Sequence, residues 1–166
     1  SRLGFAAAEE DQVAAAGEEV GGVWALENLR AYGIFTHFSC ADEKDPGSEA
    51  FTRRQYALFL KVIAALSDRG IEFPLRHCCN SAAVLRYPEM QLDMVRPGVI
   101  LYGLAPSPDC EGLADLKPAM SLHCVISMVK ELKAGCAVSY GRTFTAPQDM
   151  RIATVPIGYA DGFDRR

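Results

Sequence analysis

The chain has 166 residues, 49% of them apolar and 23% charged, with a formal net charge of −4. That acidic balance argues against a nucleic-acid surface, which is ordinarily basic, and the apolar fraction is too high for a disordered chain. No apolar run reaches the ~20 residues that a membrane-spanning helix needs.

The first predicted element is a helix. Residues 6–30 are rich in Ala and Glu, and Val23, Trp24, Leu26, Leu29 and Tyr32 give the later part an apolar face that Gly33 closes. Residues 34–38 form a short β-rich run, read as a buried strand. Residues 42–48 carry charge, Pro and Gly and read as a loop. Phe51, Leu58, Phe59, Val62, Ile63 and Leu66 recur at helical spacing in a long amphipathic helix ended by Gly70. A strand at 73–78, a short helix at 80–85 and a strand at 92–95 follow.

Strand, helix, strand, helix, strand is the order of a parallel α/β unit, and it does not separate an open sheet from a barrel. Past Tyr102 the texture changes. Pro106, Pro108, Gly112 and Pro118 form a linker-like stretch, and the expected domains are 1–114 and 115–166. Strands are predicted at 121–132, 137–143 and 152–157, with a turn at Gly135 and no helical periodicity, so this part reads as all-β.

The six cysteines, Cys40, Cys78, Cys79, Cys110, Cys124 and Cys136, form no C-x-x-C pair and no zinc framework, so no metal is expected. The opening residues hold no signal-peptide core, and free thiols in a reducing cytoplasm are expected. Cys78 adjoins His77, but adjacency along a chain does not orient an imidazole toward a thiol. The absence of an initiator Met fits a fragment.

Several residues carry two readings each. Asn80-Ser81, opening a helix after a strand, is either an anion site with free N–H groups and a hydroxyl or an ordinary cap. Gly98, after Pro97, either lets backbone approach a phosphate or makes a plain turn. Arg96 and His37 sit on or beside strands, where salt-bridged or core roles are commoner than cofactor contacts, while His77 at a strand end fits a core and an orienting role equally. Tyr140 flanks a turn, and a phenol of pKa ~10 is a poor base unless its neighbours stabilise phenolate.

Four segments occur in a telling order: His77-Cys78-Cys79-Asn80-Ser81-Ala82-Ala83, Met94-Val95-Arg96-Pro97-Gly98-Val99, Val138-Ser139-Tyr140-Gly141-Arg142-Thr143 and Pro156-Ile157-Gly158-Tyr159-Ala160-Asp161-Gly162-Phe163. Together they resemble the alanine racemase family, whose members depend on pyridoxal 5'-phosphate (PLP). The resemblance implies the second half of a (β/α)8 TIM-type barrel followed by the start of a C-terminal all-β domain. It implies PLP-phosphate contacts from Asn80, Ser81, Gly98 and Val99, with Arg96 facing the pyridine nitrogen and His77 holding Arg96. Because arginine keeps its proton, that nitrogen would stay an acceptor and the ring a weak electron sink, favouring reprotonation over side reactions.

Tyr140 matches the acid/base that the family places in the partner subunit's site, and His37 a histidine of its hydrogen-bond network. Tyr159 and Arg165 match residues of the substrate entrance. Arg2, in Ser1-Arg2-Leu3-Gly4, matches an arginine near the PLP phenolic oxygen and the substrate carboxylate.

The implied activity is interconversion of L- and D-alanine through a PLP aldimine by two-base proton transfer, in a cytoplasmic homodimer with shared sites, supplying D-alanine for peptidoglycan. The alternatives are a serine racemase of the glycopeptide-resistance type and an inactive PLP-binding or dimerising fragment. The family's Schiff-base lysine lies in a Lys-Ala-Asn-Ala-Tyr-Gly segment with no counterpart among these residues, and Lys44, Lys61, Lys117, Lys130 and Lys133 sit in no such context. Cys79 stands where Ala is usual, Cys40 lies in the loop after His37, and residues 6–22 are longer than expected. The isolated chain is therefore expected to be inactive.

Overall fold

Asp45 and Pro46 start the long helix. The Asp45 carboxylate accepts the Ser48 N–H at 3.0 Å, and proline takes the first helical position, where no N–H is needed. Residues 42–48, read as a loop, thus already contain the first turn. The helix, α2, runs over Pro46–Ser67 and buries Thr52, Leu58, Phe59, Val62 and Leu66. Gly70, at φ 75°, closes it.

The structure is a computed structural model and describes residues 3–163. It divides into two units, Ser1–Ala119 and Met120–Arg166.

In the first unit α1 covers Val13–Trp24, half the predicted length, after a 3₁₀ turn at Glu10–Gln12. Gly21 and Gly22 weaken its last turn, and Trp24 ends it edge-on against Phe73, ring centroids 5.1 Å apart. Strand β1, Gly33–Phe35, pairs in parallel with β2, Leu75–His77, with Phe35 opposite His77. Helix α2 is the crossover between them, which makes a βαβ unit. Helix α3, Ser81–Arg86, follows β2 with Asn80 as its cap. Phe38, Phe59, Cys78, Cys79, Ala82, Ala83, Tyr87, Met90 and Cys110 form the core beneath.

Both strands are shorter than predicted, and the strand expected at 92–95 does not form. Asp93 explains that loss. Its carboxylate accepts both the backbone N–H of Arg76 and the Arg76 guanidinium, at 2.8 Å each, and so occupies an edge donor that a ladder would use. The backbone–backbone bonds that join the segment to β2 and its exit run from Asp93 N to Arg76 O and from Arg96 N to Cys79 O.

The second unit is antiparallel β. Strand β3, Met128–Leu132, pairs with β6, Met150–Thr154, and β4, Ala137–Val138, pairs with β5, Phe144–Thr145. The strand predicted over 121–132 forms only in its last part, because continuing the register puts Pro156, which has no N–H, opposite Ile126. The strand predicted over 137–143 breaks at Ser139, whose φ is 66°.

One glycine fixes the end of the first unit. Gly103 has φ 76°, and a Cβ there would lie 1.9 Å from the Lys117 carbonyl oxygen, a backbone atom. Gly103→Ala in the intact protein is expected to cost about 3 kcal/mol, combining a left-handed backbone penalty with overlap. Urea unfolding checks this; an unchanged midpoint would show that the 117–118 backbone simply moves away.

Candidate functional site

Ligand sites of parallel α/β units lie beyond the carboxyl ends of the strands. Here Thr36 and His37 leave β1, and Cys78, Cys79 and Asn80 leave β2 toward α3. Arg96 reaches across both exits. Its guanidinium donates to Thr36 O at 2.9 Å, Cys78 O at 3.3 Å, His77 Nδ1 at 2.5 Å and His37 Nδ1 at 3.2 Å. It also lies over the Phe35 ring, 5.1 Å from the centroid, and that ring stacks on His77 at an interplanar angle of 6°.

His77 is buried, and burial followed by the Arg96 charge lowers its pKa below the ordinary histidine value. Nδ1 accepts from arginine, so Nε2 carries the proton of the neutral ring. The unfolded chain takes up this proton first as pH falls, so the contribution of neutral His77 to stability is present above about pH 6.5 and lost below it. A titration of the His77 Cε1 proton by NMR is expected to show a midpoint below that of an exposed histidine; a normal or raised midpoint would show that neither burial nor the Arg96 charge acts on the ring.

Ser81 is the second centre. Its hydroxyl oxygen accepts the Gly98 N–H at 2.7 Å, which joins the start of α3 to the Pro97-Gly98 turn and leaves the Ser81 O–H to donate elsewhere. Asn80 accepts the Ala83 N–H at 3.0 Å and donates to Phe38 O at 3.3 Å, so the cap is tied to the segment leaving β1. Val99 begins a 3₁₀ turn over Val99–Tyr102.

The first unit therefore joins His37 and His77 through Arg96, ties Ser81 to Gly98, and ties Asn80 to Phe38 on the segment leaving β1, with Val99 next to Gly98 in the chain. Tyr140 and Tyr159 lie in the second unit, 83% and 73% exposed, each opening a 3₁₀ turn, Tyr140–Arg142 and Tyr159–Asp161. Around Tyr140 the backbone is left-handed at Ser139, Gly141 and Arg142, with φ 66°, 70° and 50°. Non-glycine residues held there mark a strained, over-determined turn. Arg2 and Arg165 lie outside the described residues.

Cys78 is not a nucleophile here. It is fully buried and donates to Met90 O at 3.2 Å, while the contact with the Cys79 side chain and burial push its thiol up. All six cysteines are free. Among the described residues no helix is long and apolar enough to cross a membrane.

Sequence reasoning missed Thr36, Phe35 and Gln55. Gln55 carried a signal: it falls on the stripe of Thr52, Phe59, Val62 and Leu66, where a polar side chain needs a partner.

A βαβ unit with an arginine-centred cluster at its strand exits, followed by antiparallel β structure, is the arrangement of a two-domain α/β protein. The family model described as alanine racemase, N-terminal domain, matches residues 1–106, and that described as alanine racemase, C-terminal domain, matches residues 119–166. The alanine racemase of Desulforamulus reducens is 47% identical over 99% of this chain and 42% of its own length. Among solved structures, the alanine racemase of Clostridium difficile 630 in complex with cycloserine aligns with a TM-score of 0.76 at 37% identity, over 95% of this chain and 40% of that one. The biosynthetic alanine racemase of Pseudomonas aeruginosa aligns with a TM-score of 0.76 at 36% identity, over 99% and 42%. The chain belongs to the alanine racemase family, and it spans about two fifths of the length of these relatives.

Proposed function

We propose that this chain is the segment of a PLP-dependent alanine racemase that holds the cofactor's phosphate and ring nitrogen and carries one of the two acid/base groups. The observation that carries the reading is the Arg96 network: a cation fixed by two carbonyls and two imidazoles at the exits of parallel strands. The donor set suits PLP. Ser81 has a hydroxyl proton to give, Arg96 is a permanent cation, and among the described residues no carboxylate bonds to Ser81, Asn80 or Gly98 to repel a phosphate.

Ser81, Asn80 and the backbone at Gly98 and Val99 would hold the phosphate, Arg96 would donate to the pyridine nitrogen, and His77 would orient Arg96. When bound, PLP supplies a conjugated ring that acidifies the substrate α-carbon. Tyr140 moves a proton at one face of that carbon, within the partner subunit's site. The lysine of the family's Lys-Ala-Asn-Ala-Tyr-Gly segment would serve the other face and hold the cofactor. His37 would join the hydrogen-bond network of that tyrosine. Arg2 would meet the substrate carboxylate, and Tyr159 and Arg165 would line the entrance. The domains are taken as 1–114 for the partial barrel and 115–166 for the partial β domain. The product is D-alanine for peptidoglycan, made in the cytoplasm by a homodimer.

The test is conversion of L-alanine to D-alanine by the intact protein with PLP, against L-serine as competitor. Preference for alanine is expected; preference for serine would favour the serine racemase alternative, and no turnover of either would remove the reading. The 166-residue chain alone, which lacks that lysine segment, is expected to stay at background. Racemisation by it would show that the family's lysine is dispensable.

A further inference from the structure

We propose that Gln55 is a positioning residue for His37, resting on the function proposed above. Its side-chain Nε2 donates to Thr36 Oγ1 at 3.0 Å and to His37 O at 2.8 Å, and its Oε1 accepts the Ser39 N–H at 3.4 Å. One amide thus contacts three of the four residues that leave β1. The fourth, Phe38, is held through its carbonyl by Asn80.

The need for such a clasp is physical. The His37 ring is exposed, so packing does little to place it. Its position follows from the backbone on which it stands, and an unpaired strand exit is ordinarily mobile. Gln55 stands on the 22-residue helix α2, anchored on either side by buried Thr52, Leu58 and Phe59. The helix therefore offers a rigid mount. On the other side Arg96 donates to Thr36 O and His37 Nδ1. Gln55 and Arg96 hold the strand exit between them, so that the imidazole meets the guanidinium in one geometry. Only a carboxamide does this job. It donates two hydrogens and accepts one bond from a single planar group, whereas a carboxylate would turn a negative oxygen toward the His37 carbonyl.

The test compares Gln55→Leu and Gln55→Glu in the full-length protein with PLP and alanine. Both are expected to lower kcat about tenfold through misplacement of a site group, with KM for alanine changed less than about twofold. The Glu variant carries a second signature. Protonation restores an O–H donor, so its kcat relative to wild type recovers as pH falls toward a carboxyl pKa that the facing carbonyls raise above ~4.3. The Leu variant shows no such recovery. Without substrate, the ¹⁵N shifts of the His37 ring are expected to move in Gln55→Leu. If Gln55→Leu does not fold, the pH recovery of Gln55→Glu decides. Wild-type kcat in both variants, an unmoved His37 signal in Gln55→Leu, or a Glu variant without pH recovery would overturn the assignment. A wild-type protein that racemises neither enantiomer would sink the proposed function instead, and the His37 shifts alone would then judge Gln55.

Discussion

Tyr140→Phe in the intact protein is expected to lower racemisation by about 10²–10⁴-fold, the usual contribution of a general acid–base group. The loss should be one-sided. Exchange of the α-proton with solvent should persist from the enantiomer whose proton faces the lysine and nearly vanish from the other, because only one face loses its acid/base. The turn that presents Tyr140 holds Ser139 at φ 66° and Arg142 at φ 50°, so the phenol stands on backbone that the surrounding structure must enforce. If the tyrosine serves the partner's site, mixing Tyr140→Phe protomers with protomers lacking the lysine regenerates one complete site per heterodimer. For random pairing about a two-fold axis this returns about a quarter of the wild-type activity. Confirmed heterodimers that remain inactive would place Tyr140 in its own subunit's site or outside the chemistry.

Arg96→Leu is the second large effect. It strands the Thr36 and Cys78 carbonyls that the guanidinium now satisfies and is expected to cost about 3 kcal/mol of stability, as for loss of bonds from a charged donor. It also removes one of the two causes that lower the His77 pKa, so the His77 titration should move upward while burial keeps it below the ordinary value. Racemisation should fall at least about a hundredfold, since both strand exits lose their common anchor. Arg96→Lys separates charge from shape: an ammonium keeps the field on His77 but cannot span carbonyls and imidazoles as a planar fork does. A lysine variant with wild-type stability and turnover would show that charge alone is required.

The family was legible in short segments, because a cap, a glycine turn and an arginine beside a strand end are local features. Asn80 and Ser81 are an example: Asn80 caps α3 and also holds the segment leaving β1, while Ser81, the first residue of α3, accepts the Gly98 N–H. The order of strand, helix and strand through residue 77 was equally legible, because α2 writes its buried face at helical spacing.

What sequence reading got wrong lies where one side chain or one missing hydrogen overrides a pattern. Leu92, Asp93, Met94 and Val95 look like a strand, but Asp93 takes the Arg76 backbone donor and prevents a ladder. Residues 121–126 look like a strand, but their partner positions in register begin with Pro156.

The sequence by itself determined the family and the long helix α2 with its buried face, because these follow from short motifs and helical spacing. Only the tertiary structure decided that Arg96, besides His77, joins Thr36, His37 and Cys78, and that Gln55 holds the segment between them. Those contacts link residues about 20 to 60 positions apart. The parallel crossover through α2 brings them together, and no periodicity along the chain records which side chain will face which carbonyl.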